Sequence, residues 1–212
     1  MRIEQELFFW TGGIFCNSVE QAFHRAYKSI EGAKLTPVVR AHAKKSSEAL
    51  SLGKTSTEEF CRHMTEVAEV QGGPVVLEEA ILKCLAVDEG MLESIKGLEE
   101  NLLRQLIVDL PREWTARFEG FRNLIAHFDR VITLEECGLD SMLPSVIEFI
   151  RKQTRVALQQ CVVLDSDLKR CIACINNRLP AAVIIDKFHF DREFLLRGLI
   201  RQEYTMHKNP LA

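Results

Sequence analysis

The 212-residue chain lacks any apolar stretch approaching the roughly 18 residues that a membrane-spanning helix needs. It has no basic surplus either. The 27 Lys and Arg face 30 Asp and Glu, leaving a net charge of −3, and this argues against a nucleic-acid partner. An even, closely spaced cysteine set is also missing: the 7 cysteines are odd in number and spread along the chain, which excludes a secreted disulfide framework and points to reduced thiols. At the N-terminus the apolar run Leu7–Trp10 is too short for the apolar core of a signal peptide and follows two glutamates. No internal repeat or low-complexity stretch interrupts the sequence. These absences leave a cytoplasmic protein of ordinary globular composition, long enough for one core domain with a smaller insertion.

What is present begins with five apolar runs, at 6–10, 104–108, 130–133, 161–164 and 181–185. The clearest stretches, 7–9, 106–108, 161–164 and 182–185, are continuously apolar rather than alternating, the pattern of strands covered on both faces in a parallel sheet. Single helices are expected between the later strands, over 111–124, 144–158 and from Leu168, where Leu168, Cys171, Ile172 and Ile175 follow helical spacing. A last helix is expected from 191 to about 204. Cys171 and Cys174 form a C-x-x-C inside a helix, where packing explains them better than a metal. The first connection is different. It reads as four or five helices, with Thr36-Pro37, Ser56 with Glu59, Pro74 and Asp88 as start signals.

Particular residues then carry a resemblance. Phe9-Trp10-Thr11-Gly12-Gly13-Ile14-Phe15 resembles the F-D-x-D/G-G-T/V-L signature of the haloacid dehalogenase (HAD) superfamily. Leu52-Gly53-Lys54-Thr55-Ser56-Thr57-Glu58-Glu59-Phe60 is similar to a stretch of its helical cap. Leu106-Ile107-Val108-Asp109, Glu136-Cys137-Gly138-Leu139 and Cys161-Val162-Val163-Leu164-Asp165-Ser166-Asp167 resemble its later motifs, in order and at family spacing. The resemblance implies a Rossmann-like parallel sheet of about five strands in the order 5-4-1-2-3. A helical cap, residues 16–96, would be inserted after the first strand into a core of residues 1–15 and 97–212.

The family's chemistry uses an aspartate nucleophile, a second acid two residues later, a phosphate-binding Ser or Thr, a lysine and paired acids that hold magnesium. The corresponding positions here are Trp10, Gly12, Val108, Ser141, and Asp165 with Ser166. An indole is no nucleophile, valine donates no hydrogen bond to phosphate, and serine carries no positive charge. Deleting a nucleophile alone costs up to about a millionfold, roughly 8 kcal/mol of barrier.

The expectation is therefore a HAD-like protein that is catalytically inactive and works by binding a protein partner or a small-molecule ligand. The alternative is a HAD-type hydrolase, phosphatase or dehalogenase-like, with a rearranged site. The candidate binding residues are Trp10, Thr11, Gly12, Gly13 and Asp109, with Asp109 fixing a loop. The metal candidate is Asp165, which could hold magnesium with the help of water, or could join Ser166 and Asp167 in capping the following helix. Trp10 and Asp165 should meet where the strand order reverses. Thr11 and Cys16 are the substitute nucleophiles to check; the sequence does not set the oligomeric state, although homodimers are common on base rates.

Overall fold

In a computed structural model, residues 5–32, 35–98, 101–118, 120–140, 145–187 and 190–191 are described. Its five strands are β1 (Gln5–Trp10), β2 (Leu102–Val108), β3 (Arg130–Thr133), β4 (Cys161–Asp165) and β5 (Ala181–Val183). All pairings are parallel and the order is β3-β2-β1-β4-β5, the order expected from the sequence. β1 is central, with Trp10 level with Ile107 of β2 and Phe9 level with Leu164 of β4. Leu7, Phe8, Phe9 and Trp10 are all buried, so their apolar character on both faces follows from the layers that cover them. Phe9 packs against Phe15, Phe128 and Phe190, with ring centroids 5.9, 5.5 and 6.1 Å apart.

Five helices fill the connection from β1 to β2: α1 (Val19–Glu31), α2 (Pro37–Ser51), α3 (Thr57–Ala68), α4 (Gly73–Lys83) and α5 (Glu89–Lys96). Their ends carry the signals seen in the sequence. Thr36 caps α2, Ser56 and Glu59 form a capping box on α3, and Asp88 caps α5. α1 has a second capping box, from Ser18 and Gln21, and closes on Gly32 in the left-handed conformation. None of the described helices is long and apolar enough to cross a membrane.

Three expectations need correction. The single helix over 111–124 is two: α6 (Arg112–Arg117) and α7 (Phe121–Ile125). Gly120, at φ +86°, breaks the path between them. β5 stops at Val183, and Ile185 lies in solvent. The helix after β4, here α9 (Leu168–Asn176), following α8 (Ser145–Gln153), does not bury the stripe that its periodicity suggested. Leu168, Ile172 and Ile175 are exposed, and Cys171 and Cys174 are buried instead. The cause is rotational. α9 is pinned with Arg170 turned inward to Asp165, so the adjoining face, carrying the two cysteines, packs on the sheet. Most of the last expected helix, from residue 192 onward, lies outside the described residues, as do residues 141–144 and thus Ser141.

Candidate functional site

The chain runs outward from β1 through β2 to β3, then returns to place β4 on the other side of β1. A crevice opens at such a reversal, beyond the carboxyl ends of the two neighbouring strands. Trp10 ends β1 and is 1 % exposed. Its indole Nε1 donates to Asp109 Oδ2 at 2.9 Å, and the Gly12 backbone N–H donates to Asp109 Oδ1 at 2.8 Å. Asp109 thus holds the turn after β1 through both carboxylate oxygens. Burial raises its carboxyl above the ordinary carboxylate value. The Arg170 charge and the two donors pull it back without cancelling that effect.

The turn itself leaves no room. A Cβ on Gly12 would lie 2.7 Å from Asp109 Oδ2, and one on Gly13, at φ +88°, would lie 1.9 Å from Ser166 Oγ. Thr11 is buried, and its Oγ1 donates to the Ile107 carbonyl at 2.8 Å. Cys16 directs its Sγ toward the Thr11 carbonyl, and burial, reinforced by the Asp109 charge, raises its thiol well above the usual range. Both groups point at backbone carbonyls, and among the described residues no basic side chain is hydrogen-bonded to either. Val108, at the end of β2, is buried.

Asp165 ends β4, fully buried. Arg170, one turn into α9, reaches back and grips it through both oxygens: Nε to Oδ2 at 2.5 Å and Nη2 to Oδ1 at 2.7 Å. Oδ1 also accepts from the Asp167 backbone N–H at 2.9 Å. Asp167 is the cap of α9, accepting from the Lys169 and Arg170 backbone N–H groups, and lies 3.7 Å from Arg170 Nη1. The Arg170 guanidinium stacks on the indole of Trp10, 4.6 Å from the ring centroid. Burial alone would lower its pKa. The hydrogen bonds and charge of Asp165, with Asp109 and Asp167, overcome that and hold it protonated. Trp10 and Asp165 therefore meet through Arg170, which sequence reasoning did not single out.

These residues do not fit a magnesium ion. Asp165 has both oxygens engaged, Ser166 replaces its acidic neighbour, and β1 ends without a carboxylate. Among the described residues no group of three or more His, Cys, Asp or Glu is arranged to hold a metal.

Beyond Arg170 lies an open polar cavity of about 250 Å³ between α1, α2 and the start of α9. Ser18, Lys44, Ser47, Asp109, Lys169 and Arg170 are among its walls. Of the candidate binding residues, Asp109 lines it, while Trp10, Thr11 and Gly12 are buried beneath. Gly13 lines a separate cavity beside Asn17 and Asp88.

Comparison with solved structures places this architecture. The L-2-haloacid dehalogenase of Xanthobacter autotrophicus aligns over 97% of this chain and 86% of its own, with a TM-score of 0.61 at 14% identity. The chain has the haloacid dehalogenase-like fold. A HAD family enzyme from Bacteroides thetaiotaomicron, in complex with magnesium and inorganic phosphate, aligns over 84% of this chain and 93% of its own (TM-score 0.59, 12% identity). A HAD-type protein from Bacillus subtilis bound to magnesium aligns over 94% and 100% (TM-score 0.62, 12% identity). No family model matches the sequence, and no curated protein matches it. Within the HAD-like fold, Trp10, Asp109, Asp165 and Arg170 sit together at the sheet's switch point.

Proposed function

We propose that this chain is a HAD-fold protein that performs no aspartyl-phosphate or aspartyl-ester chemistry and works by binding. In this reading residues 16–96 are a cap over a core of residues 1–15 and 97–212, and the crevice between them is the binding place. One observation carries it. The end of β1, where hydrolysis would need a free carboxylate, holds an indole that is buried, hydrogen-bonded to Asp109 and stacked under Arg170. A side chain fixed on three sides is packing, not a nucleophile awaiting a substrate.

The polar cavity beside Arg170 supports a small polar molecule as the bound species. At about 250 Å³ it falls just under the range of about 300–1,000 Å³ typical of ligand sites. The Ser47 hydroxyl on its wall is buried with no hydrogen-bond partner, a cost that a ligand could relieve. All 7 cysteines are free thiols, in keeping with a reducing, cytoplasmic setting.

The test is turnover. The purified chain, given a panel of phosphomonoesters and 2-haloacids with magnesium, should release no phosphate or halide above the buffer rate. A magnesium-dependent rate that disappears in Asp165→Asn would overturn the proposal and restore the hydrolase reading.

A further inference from the structure

We propose that Arg170 is the resident cation of this site: its guanidinium occupies the position that the HAD resemblance gives to magnesium, making the site metal-independent. The inference deepens the binding reading and relies on it for the placement of the crevice. Metal binding and turnover are separate readouts, so either can fail alone.

The geometry is that of a chelate. Two parallel N–H donors, at 2.5 and 2.7 Å, meet both oxygens of Asp165, the fork-to-carboxylate match that guanidinium makes and an ammonium cannot. Asp167 approaches a third nitrogen at 3.7 Å, and the Trp10 ring closes one face of the plane at 4.6 Å. Asp109, the remaining acid facing the guanidinium, spends both its oxygens on Trp10 Nε1 and Gly12 N–H. Each oxygen of Asp109 and Asp165 already accepts from a fixed donor, so an ion entering there would compete with Arg170 for Asp165.

The tether explains how a side chain competes. Asp167 caps α9 and accepts from the Arg170 backbone N–H at 3.3 Å, so the cap that starts the helix also aims the residue at Asp165. The substitutions at the two strand ends are then one device. An aspartate at position 10 would offer a metal a ligand but give guanidinium no face to stack on. Tryptophan does the reverse.

Terbium, a luminescent oxygen-seeking cation that an adjacent indole sensitises, provides the test alongside magnesium. For the unaltered chain, the thermal midpoint should be the same in millimolar magnesium and in chelator, with no saturable terbium emission that magnesium displaces. Arg170→Met keeps an apolar stem over Trp10 and frees Asp165. It should gain magnesium-displaceable terbium emission, lost again when Asp165→Asn is added. Arg170→Gln replaces it should the Met variant fail to fold, with the same gain expected. Saturable, magnesium-displaceable emission from the unaltered chain would overturn the proposal whatever the variants do. So would a folded Arg170 variant that stays silent.

Discussion

Replacing Trp10 by aspartate restores the family's nucleophile in name, and its outcome can be worked out from the structure. The indole is 1 % exposed, and a buried tryptophan removes about 150–250 Å² from water. At roughly 25 cal/mol per Å², its loss costs about 4–6 kcal/mol. The hydrogen bond to Asp109 and the stack under Arg170 disappear with it. The new carboxylate could draw on Arg170, but only by competing with Asp165 and by joining two buried acids. For a chain of this length each 1 kcal/mol moves the thermal midpoint by about 2–4 °C, so Trp10→Asp should melt roughly 8–24 °C lower. On the proposed reading it should also remain inactive, because the resemblance puts Val108 where the phosphate-binding hydroxyl would be and Ser141 where the lysine would be. Differential scanning calorimetry and a phosphate-release assay on the same preparation test both halves. A midpoint within a few degrees of the unaltered chain would refute the packing argument, and measurable turnover would refute the assignment of the other positions.

Further outcomes follow from individual contacts. Gly13→Ala combines a left-handed backbone, about 1–2 kcal/mol, with a clash against Ser166 of about 1–3 kcal/mol. Adding Ser166→Gly should recover the second part alone in a double-mutant cycle of urea denaturation, and additive effects would contradict the contact. Because burial raises the Asp109 carboxyl, the folded state holds that proton more tightly than the unfolded state. Its contribution to stability is then fully present below the unfolded value and lost as pH rises through the raised one. Asp109→Asn should remove that loss from a plot of stability against pH beginning near about pH 4, and an unchanged slope would refute the direction. Burial is the first cause lifting the thiols of Cys61 and Cys171 to about 12 and that of Cys174 to about 11. At pH 8 in the native state they should alkylate at least about a hundredfold more slowly than in denaturant, and equal rates by mass spectrometry would contradict their burial.

Much of this fold was legible because its signals are local. The apolar runs at 6–10 and 161–164 announced buried parallel strands, and Ser56 with Glu59, Thr36-Pro37 and Asp88 marked helix starts that the structure places there. The motif order supplied the strand order. Gly120 was a visible breaker within 111–124, and the apolar spacing of Trp114, Phe118 and Phe121 overrode it. The rotation of α9 was not legible from periodicity. Leu168, Ile172 and Ile175 make a regular stripe, but one buried ion pair, Arg170 with Asp165, decides which face turns inward. Motif position had named Trp10, Asp109 and Asp165 as candidates, and the structure brings the three together around Arg170. Arg170 was missed although it falls at the closing asparagine position of the D-D-S-x-x-N segment that Asp165-Ser166-Asp167 resembles, because the reading stopped at Lys169. A signal existed in its spacing, since a residue one turn past the cap Asp167 can reach back over the strand end to Asp165.

The most direct test of the central claim is a crystal structure grown in magnesium and inorganic phosphate. The account predicts that the Arg170 guanidinium stays bidentate on Asp165 beneath the cavity, with the Trp10 indole closed under it and no magnesium between them. An octahedral magnesium on Asp165, with Arg170 swung into solvent and phosphate beside the end of β1, would contradict it.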